Sequence, residues 1–219
     1  EYKILIGGVW VTSDNAADVL RDGGSVVYNP ETNTVTLTGA KLTSNIYCET
    51  GSALNIVVNG TNTMDCTGNV ATGISNFGNN PINISGNGKL TITVEITEGS
   101  AIRGNNVTID GTELELYTSG EAIQGYPLTI QNKANVTATV TGSGSVAINA
   151  GDLKITGGST LTAISPLGNS MIADSIEIEN STVTGTGYYP VMSWVGDITI
   201  TDSTVYAEST ADWGIWSNG

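Results

Sequence analysis

The sequence predicts an all-β chain that folds as a single-stranded, right-handed parallel β-helix of about 7–8 turns. Two observations carry this prediction. A triplet of an apolar residue, a polar residue and isoleucine recurs, and its starts are spaced by 28, 25, 21, 25, 23 and 22 residues. The segments between the triplets alternate apolar and polar residues and show no helical period. The triplets are Leu54–Ile56, Ile82–Ile84, Val107–Ile109, Leu128–Ile130, Leu153–Ile155, Ile176–Ile178 and Ile198–Ile200.

Each repeat contains three short strands in a constant order. The triplet is followed by a residue that tolerates a left-handed turn, such as Gly111, and then by a second apolar pair, such as Leu114 and Leu116. A third segment combines a small and an aliphatic residue, as in Ala122 and Ile123. One turn cannot bury its own apolar side, so equivalent positions should stack about 4.8 Å apart and form a continuous core. A β-sandwich is the alternative, but its strands would not repeat isoleucine at one phase.

Residues 1–34 differ from the repeats and predict a cap for the open end of the core. A Gly-Gly pair at residues 7–8 predicts a two-residue hairpin turn, and a second hairpin is predicted around residues 29–30. Residues 13–20 begin with Ser, Asp and Asn, which cap helix N-termini, and they predict a short helix. Because solenoids need a polar-faced cap, we expect the cap over residues 1–34 and the β-helix over residues 35–219.

The composition excludes several classes of function. Seven Lys and Arg against 21 Asp and Glu give a net charge of −14, which argues against nucleic acid because phosphate binding needs clustered cations. The sequence has no run of 18 apolar residues, so no membrane insertion is expected. The absence of histidine removes His-based acid–base catalysis and the commonest zinc ligand. No cofactor is required, and calcium is the natural candidate for any oxygen-bound metal.

One repeat carries four acidic residues between positions 110 and 121. Glu113 and Glu115 flank an inward leucine and should therefore share an outward face, whereas Asp110 lies at a turn and Glu121 beside the third strand. The pair of glutamates predicts a calcium site or a glycosidase-like acid pair. The alternative is a solvated face on which Lys89 of the preceding turn neutralises Glu113. Glu113 and Glu115 are the metal-site candidates.

Aromatic residues are concentrated near the end of the chain, where six of the 13 fall in the last 32 residues. Trp194 and Trp216 are 22 residues apart, which is the local repeat length, so we expect them in one column on adjacent turns. Rings on a rigid surface can stack on sugars, and the alternative is that they pack at the end of the core. The candidate carbohydrate-binding residues are Trp194, Trp216, Trp213, Tyr189 and Tyr206.

Two cysteines, Cys48 and Cys66, permit one disulfide. A bridge between them would indicate an oxidising compartment. The alternative is that both are small buried residues.

The opening pattern GGVWVTSDNAADVLRDGGSVVYNPETNTVTLTGAKL is followed by LNIVVNGTNTM, GISNFG, INISGNGKLTI and repeated Ala-Ile segments. This order resembles the carbohydrate-binding β-helix proteins of secreted and cell-surface clostridial origin. The resemblance covers essentially the whole chain and implies a right-handed parallel β-helix related in shape to pectate lyases. It also implies bound calcium, affinity for plant polysaccharide and a secreted or cell-surface location. It assigns no individual ligand residues here.

The leading hypothesis is non-catalytic binding of a polysaccharide, acidic or plant-derived, with calcium offsetting charge repulsion. The alternative is a structural spacer or adhesin module without a glycan ligand, and the third hypothesis is a polysaccharide lyase. Pectin hydrolases on this fold resemble one another in Asp-Asp and Gly-His-Gly motifs, which this chain lacks, and its two arginines, Arg21 and Arg103, lie in no clear acidic column. Because the sequence stops just after an apolar segment, we expect a monomeric module of a longer multidomain chain.

Overall fold

The computed structural model describes residues 1–66, 68, 70–78, 80–211 and 213–219. Over these residues the protein is all-β, with 25 strands and no helix. The strands stack in parallel into a β-helix, and the eight strands of one sheet mark eight turns. The described part of the chain contains no helix that could cross a membrane. The fold class predicted from the repeats is therefore confirmed.

Three strands recur in each turn, and each belongs to one of three parallel sheets. In chain order the strands are β1 (Ile4–Ile6), β2 (Val9–Trp10), β3 (Val26–Asn29), β4 (Thr34–Thr38), β5 (Lys41–Leu42), β6 (Ile46–Cys48), β7 (Leu54–Asn59), β8 (Thr61–Cys66), β9 (Thr72–Asn76), β10 (Ile82–Gly86), β11 (Lys89–Val94), β12 (Ser100–Asp110), β13 (Glu113–Thr118), β14 (Ile123–Gln131), β15 (Asn135–Val140), β16 (Val146–Ala150), β17 (Asp152–Ile155), β18 (Thr160–Ser165), β19 (Asn169–Ala173), β20 (Ser175–Glu179), β21 (Thr182–Gly187), β22 (Val191–Ser193), β23 (Ile198–Thr201), β24 (Thr204–Ser209) and β25 (Ile215–Ser217).

The triplet strands form the first sheet, in the order β4, β7, β10, β12, β14, β17, β20 and β23. The second sheet contains β5, β8, β11, β13, β15, β18, β21 and β24. The third sheet contains β6, β9, β12, β14, β16, β19, β22 and β25. Strands β12 and β14 are long enough to bend at a corner, so each belongs to both the third and the first sheet.

The register confirms the isoleucine column in the core of the first sheet. Each triplet isoleucine is paired with the isoleucine of the next turn, from Ile56 to Ile200. All members except the last are fully buried, and Ile200 in the last turn is 41% exposed. Burying an isoleucine side chain stabilises the fold by about 1.5–3 kcal/mol. Repetition of one residue at one phase therefore builds the core.

Antiparallel hairpins close the other end of the stack. β1 and β2 form the predicted hairpin, in which Gly7 and Gly8 have φ angles of 58° and 84°. These left-handed angles favour glycine and match the twist of the flanking strands. β3 and β4 form the second predicted hairpin, and its loop spans residues 30–33. β1 pairs antiparallel with β6, and β4 pairs in parallel with β7, so the hairpins join the first turn directly.

The predicted short helix over residues 13–20 is wrong, because this segment forms a series of turns. The Asn15 side chain accepts a hydrogen bond from the backbone N–H of Thr12 at 2.7 Å. The backbone carbonyl of Ala16 accepts from the N–H of Tyr28 in β3 at 2.8 Å. The Ala16 carbonyl, which a helix would pair with the N–H of Leu20, is thus bound to a neighbouring strand, and the Asn15 side chain stabilises a turn instead. Competition of this kind is frequent for Asn and Ser near helix starts.

Candidate functional site

One outward column of the third sheet runs the length of the solenoid and changes residue type at every turn. The flanking positions of the same strands point into the core, so the members of this column point outward. At about 4.8 Å a turn the column is about 34 Å long. Its members are Tyr47, Ser75, Arg103, Gln124, Asn149, Ile172, Met192 and Trp216.

A cavity of about 440 Å³ opens over the first half of this column. Tyr47, Arg103 and Gln124 of the column line it, together with Phe77 and Tyr126 from the ends of the strands. Phe77 is 65% exposed and Tyr126 is 41% exposed. Two solvent-facing rings therefore lie beside a guanidinium and a carboxamide, with Tyr126 in β14 and Phe77 one residue after the end of β9.

The Tyr126 ring is held from two sides. A Cβ atom at Gly151 of the next turn would lie 3.3 Å from ring atom Cδ1, so the ring rests on a position without a side chain. The Tyr126 hydroxyl donates to Asn149 Oδ1 at 2.9 Å, and Asn149 Nδ2 donates to Glu121 Oε1 at 2.7 Å. Burial, reinforced by the charge of Glu121, raises the pKa of the Tyr126 hydroxyl and keeps it protonated. The ring is therefore oriented before any ligand binds.

Arg103 lies at the centre of this surface. Its Nε donates to Gln124 Oε1, and in the described part of the chain no carboxylate forms an ion pair with it. Arg103 and Gln124 also line a second cavity of about 390 Å³, together with Glu98 and Glu121. The guanidinium therefore faces two adjoining cavities and retains free N–H donors.

A third cavity of about 490 Å³ continues the surface toward the N-terminal cap. It shares Phe77 with the first cavity and adds Trp10, Lys3 and Glu49. Tyr47 donates from its hydroxyl to Glu49 Oε1 at 2.6 Å, and this hydrogen bond raises the pKa of the hydroxyl. The first cavity shares Arg103 and Gln124 with the second and Phe77 with the third, so the three cavities adjoin one another, and we call this row of cavities the lateral groove.

The prediction that Trp194 and Trp216 occupy one column is wrong. Trp216 is paired with Met192, because paired residues of β22 and β25 are 24 residues apart, whereas paired residues of β21 and β24 are 22 residues apart. The two rings nevertheless touch edge to face, with centroids 5.9 Å apart and an interplanar angle of 80°. Trp194 is 51% exposed, and the pair lies at the C-terminal end of the third sheet.

The other predicted aromatic residues lie elsewhere. Tyr206 is exposed on the second sheet, where it is paired with Thr184. Trp213 is exposed in the segment before β25, and Tyr189 is half-buried between β21 and β22. The structure therefore brings together only Trp194 and Trp216 of the five candidates.

Glu113 and Glu115 share an outward face, as their register with β11 predicts. The Lys89 ammonium lies 3.1 Å from Glu113 Oε1 and 2.6 Å from Glu115 Oε1. Hydrogen bonds to Glu115 and Glu113 raise the pKa of Lys89. The position that a metal ion would take between the two carboxylates is occupied by this ammonium. Within the described residues, no three His, Cys, Asp or Glu side chains are placed to hold a metal.

The two cysteines are both buried and are not bonded to each other. Cys48 lies in the third sheet beside Asn76, and Cys66 lies in the second sheet beside Val94. Different sheets separate them, so the predicted disulfide does not form, and the alternative of two small buried residues is correct. Burial raises the pKa of the Cys66 thiol to about 11, which keeps it in the unreactive thiol form.

Sequence inspection by aromatic density misses the residues of the lateral groove, because they are scattered over five turns. Their common feature in the sequence is their position within each repeat. The residue after the isoleucine of the third segment points outward, as Arg103 and Gln124 do after Ile102 and Ile123. Alignment of the repeats on this position recovers six members of the outward column, whereas Ile172 and Met192 follow Met171 and Val191 and are placed only by the register.

Comparison of the chain with protein-family models, with curated proteins and with solved structures found no match in any of the three. The resemblance to clostridial carbohydrate-binding β-helix proteins therefore stays a prediction.

Proposed function

We propose that the protein is a non-catalytic polysaccharide-binding module that holds a sugar chain in the lateral groove. The observation that carries this proposal is the placement of two exposed rings, Phe77 and Tyr126, beside the polar side chains of Arg103 and Gln124. A sugar ring offers apolar C–H faces and hydroxyl edges. Aromatic rings match the faces, and planar side chains that donate and accept hydrogen bonds match the edges.

The exposure of Phe77 supports a ligand at this surface. A phenyl ring that is 65% exposed gains little from the fold, whereas contact with a sugar face would remove much of its area from water. The parallel sheet below holds the groove rigid, so little conformational entropy is lost on binding. The residues that line the groove come from successive turns of the solenoid, and a site of this length suits a polymer better than a small enclosed ligand.

Two of the carboxylates that line the groove, Glu121 and Glu49, orient their neighbours. Glu121 accepts a hydrogen bond from Asn149, which in turn fixes Tyr126, and Glu49 accepts from Tyr47. At these two positions the partners support binding over acid–base catalysis, because a general acid or base must be free to reach the substrate. The proposal places the protein outside the cell, at the cell surface or secreted, and it needs no cofactor; calcium remains an optional partner.

Affinity electrophoresis in native gels that contain soluble polysaccharides tests the proposal, with and without calcium. We expect at least one polymer to retard the wild-type protein. The double variant Phe77→Ala/Tyr126→Ala should bind about 5- to 150-fold more weakly, because each ring contributes about 0.5–1.5 kcal/mol. If no polymer retards the protein in either condition, the proposal is wrong and a structural spacer becomes the better hypothesis.

Tyr117→Ala is the matched control. Tyr117 is also 41% exposed but lies on the outward face of the second sheet, paired with Thr93 and Thr139. This variant should migrate as the wild type does in every gel. Equal losses in both variants would show that the lateral groove has no special role.

A further inference from the structure

We infer that the Trp194–Trp216 pair is a second contact region for the same sugar chain, and that this chain is a long, linear and uncharged polysaccharide. The inference rests on the proposed function of the lateral groove. It assigns a role to a region that the groove does not include, and it specifies the ligand by length and charge.

Tyr126 of the groove and Trp194 occupy equivalent places on turns that are three apart. Tyr126 directly follows Gly125, and Trp194 directly follows Ser193. Gly125 and Ser193 belong to one column, in which Gly125 pairs with Ala150 and Ala173 pairs with Ser193. The N–H of Gly151 bonds to the carbonyl of Gly125 at 3.1 Å, and the N–H of Trp194 bonds to that of Ala173 at 2.9 Å. At about 4.8 Å a turn, the two rings are separated by about 14 Å along the axis. One extended chain can therefore contact both.

The side chains between the two rings project little from the surface of the sheet. Asn149 is held by its bonds to Tyr126 and Glu121. Ile172 is half-buried, and Met192 is only 5% exposed. A chain that leaves the groove over Tyr126 thus meets short or covered side chains until it reaches the tryptophans.

The charges along this face oppose a polyanion. Glu98 and Glu121 line the second cavity of the groove, and the charge of Asp174 contributes to the raised pKa of Tyr126, which places Asp174 near the path. Asp152 is exposed in the same stretch and accepts a hydrogen bond from Ser175 at 2.7 Å. Arg103 provides one positive charge against these acids, in a chain of net charge −14. Like charges cost energy, so an uncharged sugar polymer fits this face.

A panel of polymers tests whether the protein prefers uncharged ligands. The neutral polymers are hydroxyethyl cellulose, arabinoxylan and galactomannan, and the anionic polymers are carboxymethyl cellulose, alginate and polygalacturonate. We expect the tightest binding to a neutral polymer, and hydroxyethyl cellulose to bind better than carboxymethyl cellulose, which has the same backbone. An anionic polymer that binds more tightly than every neutral one overturns the inference but leaves the proposed function standing. Failure of every polymer to bind overturns the proposed function itself.

The Trp194→Ala variant tests whether the bound sugar chain is long enough to reach the tryptophan pair. Calorimetry measures its affinity for the neutral polymer that binds most tightly and for short oligosaccharides cut from that polymer. The variant should bind the polymer about tenfold more weakly and bind the shortest oligosaccharides that occupy the groove as the wild type does. Tyr117→Ala, which removes an exposed ring from the second sheet, should change neither affinity. Unchanged polymer affinity in Trp194→Ala, with an unchanged melting temperature, overturns the inference.

Discussion

Two columns of side chains run through the same turns of this protein and follow opposite rules. The inward column of the first sheet repeats isoleucine from Ile56 to Ile200, whereas the outward column of the third sheet changes residue from Tyr47 to Trp216 at every turn. Inside, each side chain packs on a copy of itself, so any change leaves a void or a clash in the stack. Outside, no such constraint acts, and each turn can present a different group to a ligand. Repetition therefore marks the core and variation marks the candidate binding face.

Truncation of one isoleucine of the inward column should have the largest effect on the stability of the fold. Ile130 is fully buried between Ile109 and Ile155. We expect Ile130→Ala to lower the free energy of unfolding by about 2–5 kcal/mol, because three carbon atoms are lost and a cavity remains. Urea unfolding, followed by circular dichroism, measures this change.

The adjacent outward residue provides the control for that variant. Thr129 lies next to Ile130 on the other face of the strand and is half-buried. Thr129→Ala should change the free energy of unfolding by less than about 0.5 kcal/mol. If the two substitutions cost the same, the distinction between the inward and the outward columns fails.

Removal of the charge at the centre of the outward column should affect binding and spare stability. Arg103 is exposed and faces two cavities of the lateral groove. We expect Arg103→Gln to weaken polysaccharide binding about tenfold, because hydrogen bonds from a charged donor contribute about 1.5–3 kcal/mol. Calorimetric titration with the polymer that the wild type binds measures the loss.

The only other arginine in the sequence, Arg21, allows a matched variant. Arg21 is exposed in the N-terminal turns, away from the groove. Arg21→Gln should leave the affinity unchanged while changing the net charge by the same amount. A similar loss in both variants would indicate a general electrostatic effect, and the role of Arg103 in the groove would be refuted.

The same contrast explains what the sequence can predict. The isoleucine column follows from residue type at a fixed phase, because burial selects the same side chain in each turn. The two hairpins follow from local turn residues, such as Gly7 and Gly8, whose conformational preference needs no distant partner. The lateral groove could not be found by searching for repetition, because its residues, such as Arg103 and Gln124, do not repeat. The pairing of Trp216 with Met192 depends on two extra residues in one connection, and sequence spacing alone does not show which segment takes them up.

The short helix predicted for residues 13–20 does not form, and the physical reason is different. Ser, Asp and Asn favour helix starts through side-chain hydrogen bonds, but the same bonds also stabilise turns. In residues 13–20 the competing partner is β3, which binds the segment through its backbone. That partner is brought close only by the second hairpin, so local sequence could not reveal it.

Titration at high pH probes the polar groups that lie on the buried side. Burial raises the pKa of Tyr28 from 10.0 to about 12 and that of Cys66 from 9.0 to about 11. Both groups are neutral in the folded protein and lose their protons more readily when unfolded. Their contribution to stability is therefore complete below pH 9 and is lost as pH rises through about 12. The urea midpoint of the wild type should fall across this range.

Tyr28→Phe separates the two contributions. The variant loses the hydrogen bond from the Tyr28 hydroxyl to Asn33 Oδ1, which should cost about 1 kcal/mol at neutral pH. Between pH 10 and pH 12 its urea midpoint should fall less than that of the wild type, because one titrating group is gone. Parallel curves for the two proteins over this range would contradict the assignment to Tyr28.

The smallest effect is expected for an outward position without a proposed ligand. Lys89 bridges Glu113 and Glu115 on the second sheet, and all three side chains are partly exposed to water. Water and salt screen such contacts, so Lys89→Gln should lower the urea midpoint only slightly and less than Tyr28→Phe does.

The Lys89→Gln variant also decides whether the two carboxylates can serve as a calcium site. Without the ammonium they repel each other and are free to bind a cation, so calcium should raise the melting temperature of Lys89→Gln more than that of the wild type. If calcium stabilises the wild type as strongly as the variant, the ammonium does not block the pair, and any bound calcium lies elsewhere on the protein.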